Sequence, residues 1–138
     1  MKPWARPWRR SLAAIDTNVF IRLLTQDDPV LTAKAEAHLS AHAPLWISVS
    51  VLVETYHVLT KLYGWKKPAM VALLQSITSS RSFVFQDQTA VVAATHQWVT
   101  AKAGFVDCLN VALAGAHGKG PLATFDRSAA RLPGATKA

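Results

Sequence analysis

A single cysteine, Cys108, stands in the whole chain. That excludes an internal disulfide framework and fits a reducing, cytoplasmic compartment. A lone thiol in an apolar stretch reads as a small core residue. No run of about 18 apolar residues occurs, so no membrane span is expected. The start, "MKPWARPWRRSLAA", is basic and lacks the long apolar stretch of a signal peptide. There is no glycine-rich phosphate loop, which argues against an NTPase, and no HExxH motif. Acids are scarce as well: eight Asp and Glu face fifteen Lys and Arg, for a net charge of +7 and a pI near 10.0. Such a surface attracts polyanions, chiefly nucleic acid or an acidic partner.

What remains suffices for a core. With 138 residues, 51% of them hydrophobic, the chain suits one domain. Residues 1–10 stand apart as a basic extension rich in Trp and Pro, and residues 11–138 are expected to form the domain. Trp4 and Trp8 could stack on bases, but nothing in the sequence fixes their geometry. The rest alternates. "SLAAID", "PLWISV", "SFVFQ" and "PLATF" read as short buried strands, and "LPGATKA" as a weak edge strand. Helices are expected between them. Asp28 and Pro29 mark one start, Pro68 another, and Gly64, Gly104 and Gly118 mark ends. Short apolar strands separated by helices predict an α/β fold, a three-layer α/β/α sandwich around a mostly parallel sheet of four to five strands. Ligands of such sheets bind beyond the carboxyl ends of the strands.

The eight acids divide by context. Asp27, Asp28, Glu36 and Asp87 fall in turns, capping positions or a polar helix face. Asp16, Glu54, Asp107 and Asp126 sit in apolar company, in "LAAID", "VLVETY", "FVDCLNVALA" and "LATFD". Acids there are rarely buried unless paired or bound to metal. Asp16 and Asp126 end strands, and Glu54 and Asp107 lie in early turns of helices. All four are therefore expected at one end of the sheet. Ionised together they need a counter-charge, and an all-oxygen donor set suits Mg²⁺ or Mn²⁺. The competing reading is four separate helix caps and surface contacts.

The blocks "IDTNVFIRLLTQDDP", "ISVSVLVETYHVL", "GFVDCLNVALA" and "ATFDRSAARLPG", in this order and spacing, resemble a PIN-domain ribonuclease. The likeness is strongest to the VapC-type toxins of type II toxin–antitoxin systems. The resemblance implies that Asp16, Glu54, Asp107 and Asp126 form a catalytic, metal-binding site for one or two Mg²⁺ or Mn²⁺ ions. It gives Asn18 and Thr124 supporting roles. It implies endonucleolytic hydrolysis of RNA, with tRNA and rRNA as candidate substrates, leaving 5′-phosphate and 3′-hydroxyl ends. It also implies a homodimer and a cognate antitoxin protein as partners. Two departures stand out. Many relatives carry another acid where this chain has Gly104, and Asn110 stands where an apolar residue is common.

Two rivals remain. One is a non-catalytic RNA-binding or regulatory PIN-like protein with weakened metal binding, which Gly104 favours. The other is a phospho-accepting receiver domain, which needs paired acids after its first strand and a Lys after a late one. Here Asp16 stands alone and "TFDRS" offers no such Lys. His38 and His42, spaced i, i+4, are a weaker zinc candidate. Arg22, Lys61, Lys66, Lys67, Arg127 and Arg131 are candidates for phosphate contacts.

Overall fold

Apolar stretches bounded by caps and prolines set the element order. The computed structural model describes residues 13–138, so the expected extension at 1–10 lies outside the described residues. The first half runs β1 (Ala13–Ala14), α1 (Thr17–Thr25), α2 (Pro29–His42), β2 (Leu45–Ile47), α3 (Val49–Lys61) and α4 (Lys67–Ser79). The second runs β3 (Phe83–Phe85), α5 (Gln88–Thr100), α6 (Phe105–Ala116), β4 (Leu122–Thr124), α7 (Arg127–Ala130) and β5 (Ala135–Lys137). Every strand pairing is parallel, as the α/β expectation requires. The ladders group the strands as β1-β2-β3 and β4-β5, and the alternation of parallel strands and helices is that of the expected α/β/α sandwich. The strands are two or three residues long, so each carries few ladder bonds. No helix among the described residues is long and apolar enough to cross a membrane.

The described residues cluster in two compact units. The first takes the chain up to Lys66 together with Ser79–Gln86. Its parallel register pairs Ala13 with Leu45 and Leu45 with Phe83, which sets the carboxyl ends of β1, β2 and β3 side by side. Leu45 and Ile47 are fully buried in the middle strand. Helix α1 buries Thr17, Phe20 and Ile21, spaced i, i+3, i+4 on one face. The Phe20 ring meets Phe83 edge-on at 5.2 Å and Phe85 at 6.4 Å, so α1 lies across the strands. Asp28 caps α2, accepting from the Leu31 N–H (3.0 Å), with Pro29 in the first turn, as expected. Ser48 caps α3 through the Val51 N–H (3.1 Å). That helix buries Leu52, Thr55 and Leu59, and the Thr55 hydroxyl donates to the Val51 carbonyl (2.7 Å).

The second unit takes Lys67–Thr78 and Asp87–Ala138. Helices α5 and α6 pack together, burying Val91, Ala94 and Trp98 on one and Phe105, Cys108 and Leu109 on the other. Trp98 and Phe105 approach to 5.5 Å between ring centres. The Lys67 ammonium lies 5.2 Å from the Trp98 ring and donates to the Ala101 carbonyl (2.9 Å). Gly104 does not close α5, as its sequence position suggested. That helix ends at Thr100, and Gly104 occupies the N-cap of α6. In the β4-β5 pair Thr124 stands opposite Lys137. Gly134, at φ +90°, enters this pair where a Cβ would come within 3.1 Å of Val111. Both the backbone and the space call for glycine there.

Candidate functional site

In the first unit, Ile15 is buried and donates its N–H to the Trp46 carbonyl (3.3 Å), fixing the exit from β1. Asp16 follows in extended backbone and becomes the N-cap of α1. Its Oδ1 accepts from the Val19 N–H at 3.3 Å. Asn18, exposed on the first turn, shares with Asp16 the wall of a cavity of about 690 Å³ that also carries Arg22, Lys34 and His38. Asn18 makes no side-chain hydrogen bond among the described residues. Glu54 stands on α3, after the carboxyl end of the strand adjacent to β1. It is exposed, although the buried Thr55 follows it directly. The helical period explains this: Leu52, Thr55 and Leu59 face inward and Glu54 falls between them.

In the second unit, Asp107 lies in the first turn of α6, and its Oδ2 accepts from the Gly104 N–H at 3.3 Å. Asn110, one turn further on, is exposed. Asp126 follows β4 and caps α7, its Oδ1 accepting from the Ala129 N–H at 2.8 Å. Thr124 supports this turn, since its hydroxyl accepts the Asp126 N–H at 3.1 Å. The apolar surroundings read from the sequence therefore do not bury these acids. Asp16, Glu54 and Asp126 are exposed and Asp107 is half-exposed. Each Asp instead commits one oxygen to the open end of its own helix, where backbone N–H groups lack partners.

Among the described residues, no group of three or more His, Cys, Asp or Glu stands ready to hold a metal ion. His38 and His42 stack at 4.5 Å between ring centres, without such a third ligand. The ion pairs among the described residues, Arg22–Asp27 (2.8 Å) and His117–Asp87 (3.0 Å), use none of the four candidate carboxylates. Carboxylate oxygens such as theirs are hard donors, of the kind that suit Mg²⁺ or Mn²⁺.

Two acids given routine roles by the sequence behave otherwise. Asp87 adopts φ +53° at the start of α5 and makes no side-chain cap bond. Its carboxylate meets His117 instead. Asp27 accepts from the Tyr63 hydroxyl (2.7 Å), the Thr25 hydroxyl (2.9 Å) and Arg22 (2.8 Å). No local signal could have found Tyr63, which lies 36 residues away. The Tyr63 hydrogen bond, followed by that of Thr25, pulls the Asp27 carboxyl down to about 2 from its ordinary value near 3.8. A carboxyl depressed in the folded state stabilises it above the unfolded value, and that contribution is lost as pH falls through about 2. Asp27→Asn is expected to flatten the acid limb of stability between about pH 4 and pH 2, read by thermal melts across that range.

Cys108 is 2% exposed, and burial followed by the neighbouring Asp107 charge pushes its thiol up. It is expected to resist a thiol reagent at neutral pH in the native protein and to react quickly in denaturant. Fast native labelling would contradict the buried placement.

Neither the curated proteins nor the solved structures compared with the chain yield a match. Comparison with protein families matches residues 13–135 to the PIN domain. With nearly the whole described chain inside that match, the protein belongs to the PIN-domain family, whose members are generally nucleases using divalent metals.

Proposed function

We propose that the protein is a metal-dependent endoribonuclease and the toxin of a toxin–antitoxin pair. Asp16, Glu54, Asp107 and Asp126 would hold one or two Mg²⁺ or Mn²⁺ ions. The observation that carries the reading is the state of the three Asp side chains. Each is anchored by one oxygen to a helix N-terminal N–H, and its other oxygen accepts no hydrogen bond among the described residues. A divalent cation supplies an acidified water and neutralises charge on the phosphate. The chain's own task is to orient the carboxylates and bind the RNA backbone. Arg22 and Lys67 are already engaged, with Asp27 and with Ala101 and Trp98. Lys61, Lys66, Arg127 and Arg131 are exposed and remain the better phosphate contacts. A homodimer and a cognate antitoxin belong to this reading.

The test is a panel of tRNA and rRNA fragments incubated with Mn²⁺, with and without EDTA. Cleavage that EDTA abolishes is expected. Binding without cleavage across the panel would replace the reading with the non-catalytic RNA-binding one, which Gly104 favours. Gly104 also offers a gain-of-function test. Its φ of −74° suits any residue, and an added Cβ would sit 3.7 Å from Asp107 Oδ2, an ordinary contact. Gly104→Asp adds an oxygen donor and is expected to tighten Mn²⁺ binding about tenfold, read by calorimetry. Unchanged affinity would place the metal elsewhere.

A further inference from the structure

The turn after β4 shows two costly surface features side by side. Phe125 is 84% exposed, the most exposed of the large apolar side chains among the described residues. Two residues further along the chain, Arg127 lines, together with Arg131 and Lys137, one cavity of about 300 Å³. Arg127 and Arg131 are one helical turn apart and share a face. The β4-β5 register brings in Lys137, opposite Thr124, from the neighbouring strand. None of the three cations has an ion-pair partner among the described residues. Asp126, between Phe125 and Arg127, gives its Oδ1 to the Ala129 N–H rather than to a cation. Three like charges around one cavity repel one another unless an anion joins them.

We propose that Phe125, Arg127, Arg131 and Lys137 form a subsite for single-stranded RNA beside Asp126, with a base stacked on Phe125 and a backbone phosphate held by the three cations. The proposal rests on the nuclease reading and names where the substrate strand is gripped. Two guanidinium forks match phosphate oxygens, and Lys137 adds a point charge. An aromatic face beside a cationic groove binds single strands of any sequence, because every base offers a π-face. A duplex keeps its bases stacked on one another and gains nothing from Phe125. Asp126 directly precedes Arg127 and lies about a turn and a half before Arg131, so a strand held here passes the proposed cleavage site within about two nucleotides.

The experiment measures binding of a short fluorescent oligouridylate in EDTA, over a range of salt, beside Mn²⁺-dependent cleavage. Phe125→Leu is expected to weaken binding about tenfold with the salt slope unchanged. Phe125→Tyr, which keeps the ring, is expected to bind as wild type does. Arg131→Gln with Lys137→Gln is expected to weaken binding and lower the salt slope by about 0.7, the share of one phosphate contact on a single strand. Circular dichroism checks the fold of each variant, and the replaced side chains are exposed. If these variants bind as wild type does while the wild type cleaves RNA, the subsite is overturned and the nuclease reading stands. If Phe125→Leu changes only the sedimentation of the protein, the surface joins copies of the chain and the proposal is overturned. If the wild type neither binds nor cleaves RNA, both fall together.

Discussion

Asp16→Asn is expected to lower metal-dependent RNA cleavage by about a hundredfold or more while leaving the fold intact. Two properties of the side chain are separated by this change. As an N-cap, Asn is as good as Asp, so the bond from the Val19 N–H persists. As a ligand for a hard cation, Asn loses the charge that draws the ion. Removing one preorganised electrostatic partner from a reacting centre typically costs about 10²–10³ in rate. Stability should stay within about 0.5 kcal/mol of wild type, because the site is exposed and the cap is kept. Asp126→Asn is the matching test in the second unit, since its cap on Ala129 is preserved in the same way. Full Mn²⁺-dependent cleavage by Asp16→Asn would sink the assigned site.

Phe20→Ala is expected to act in the opposite sense, on stability first. Phe20 is fully buried and its ring contacts both Phe83 and Phe85. Truncating such a side chain costs about 3–5 kcal/mol through lost burial and the cavity left behind. A domain of this kind has only about 5–15 kcal/mol in all. The melting temperature should fall by about 10–20 °C. Phe20→Leu, which fills most of the space, should cost much less. Urea unfolding of the two variants checks the ordering. Equal midpoints for Phe20→Ala and wild type would mean that α1 is not anchored on the strands through this ring. Because Asp16 caps that same helix, activity should decline with the folded fraction and not ahead of it.

Element types were legible from the sequence because caps, prolines and apolar runs are local signals. Asp28–Pro29, Pro68 and Gly118 act within one turn of where they stand. Gly104 misled because glycine also suits an N-cap, and the loop 101–104 left both helices free to claim it. Asp87 looked like a cap, but its partner His117 lies 30 residues on. Asp27 looked like a turn residue for the same reason. The four candidate carboxylates stand out in the sequence by their apolar neighbours, yet none is buried: Asp16, Asp107 and Asp126 are set apart by their places at helix starts, and Glu54 by falling between the inward positions of its helix. Phe125 and Lys137 carry no signal in the sequence, because an exposed ring and a facing cation are properties of packing and register, which no local pattern holds.

The three aspartate caps have an entropic consequence. A side chain already pinned to backbone has given up its rotational freedom during folding, so a ligand arriving later need not restrain it. Asp16, Asp107 and Asp126 are pinned in this way. Glu54 is longer, exposed and capped to nothing among the described residues. A glutamate loses up to about 2 kcal/mol of rotamer freedom when it is fixed. In the proposed site the ordering cost of cation binding therefore falls almost wholly on one side chain, and Glu54 is the ligand whose length sets how tightly the ion is held.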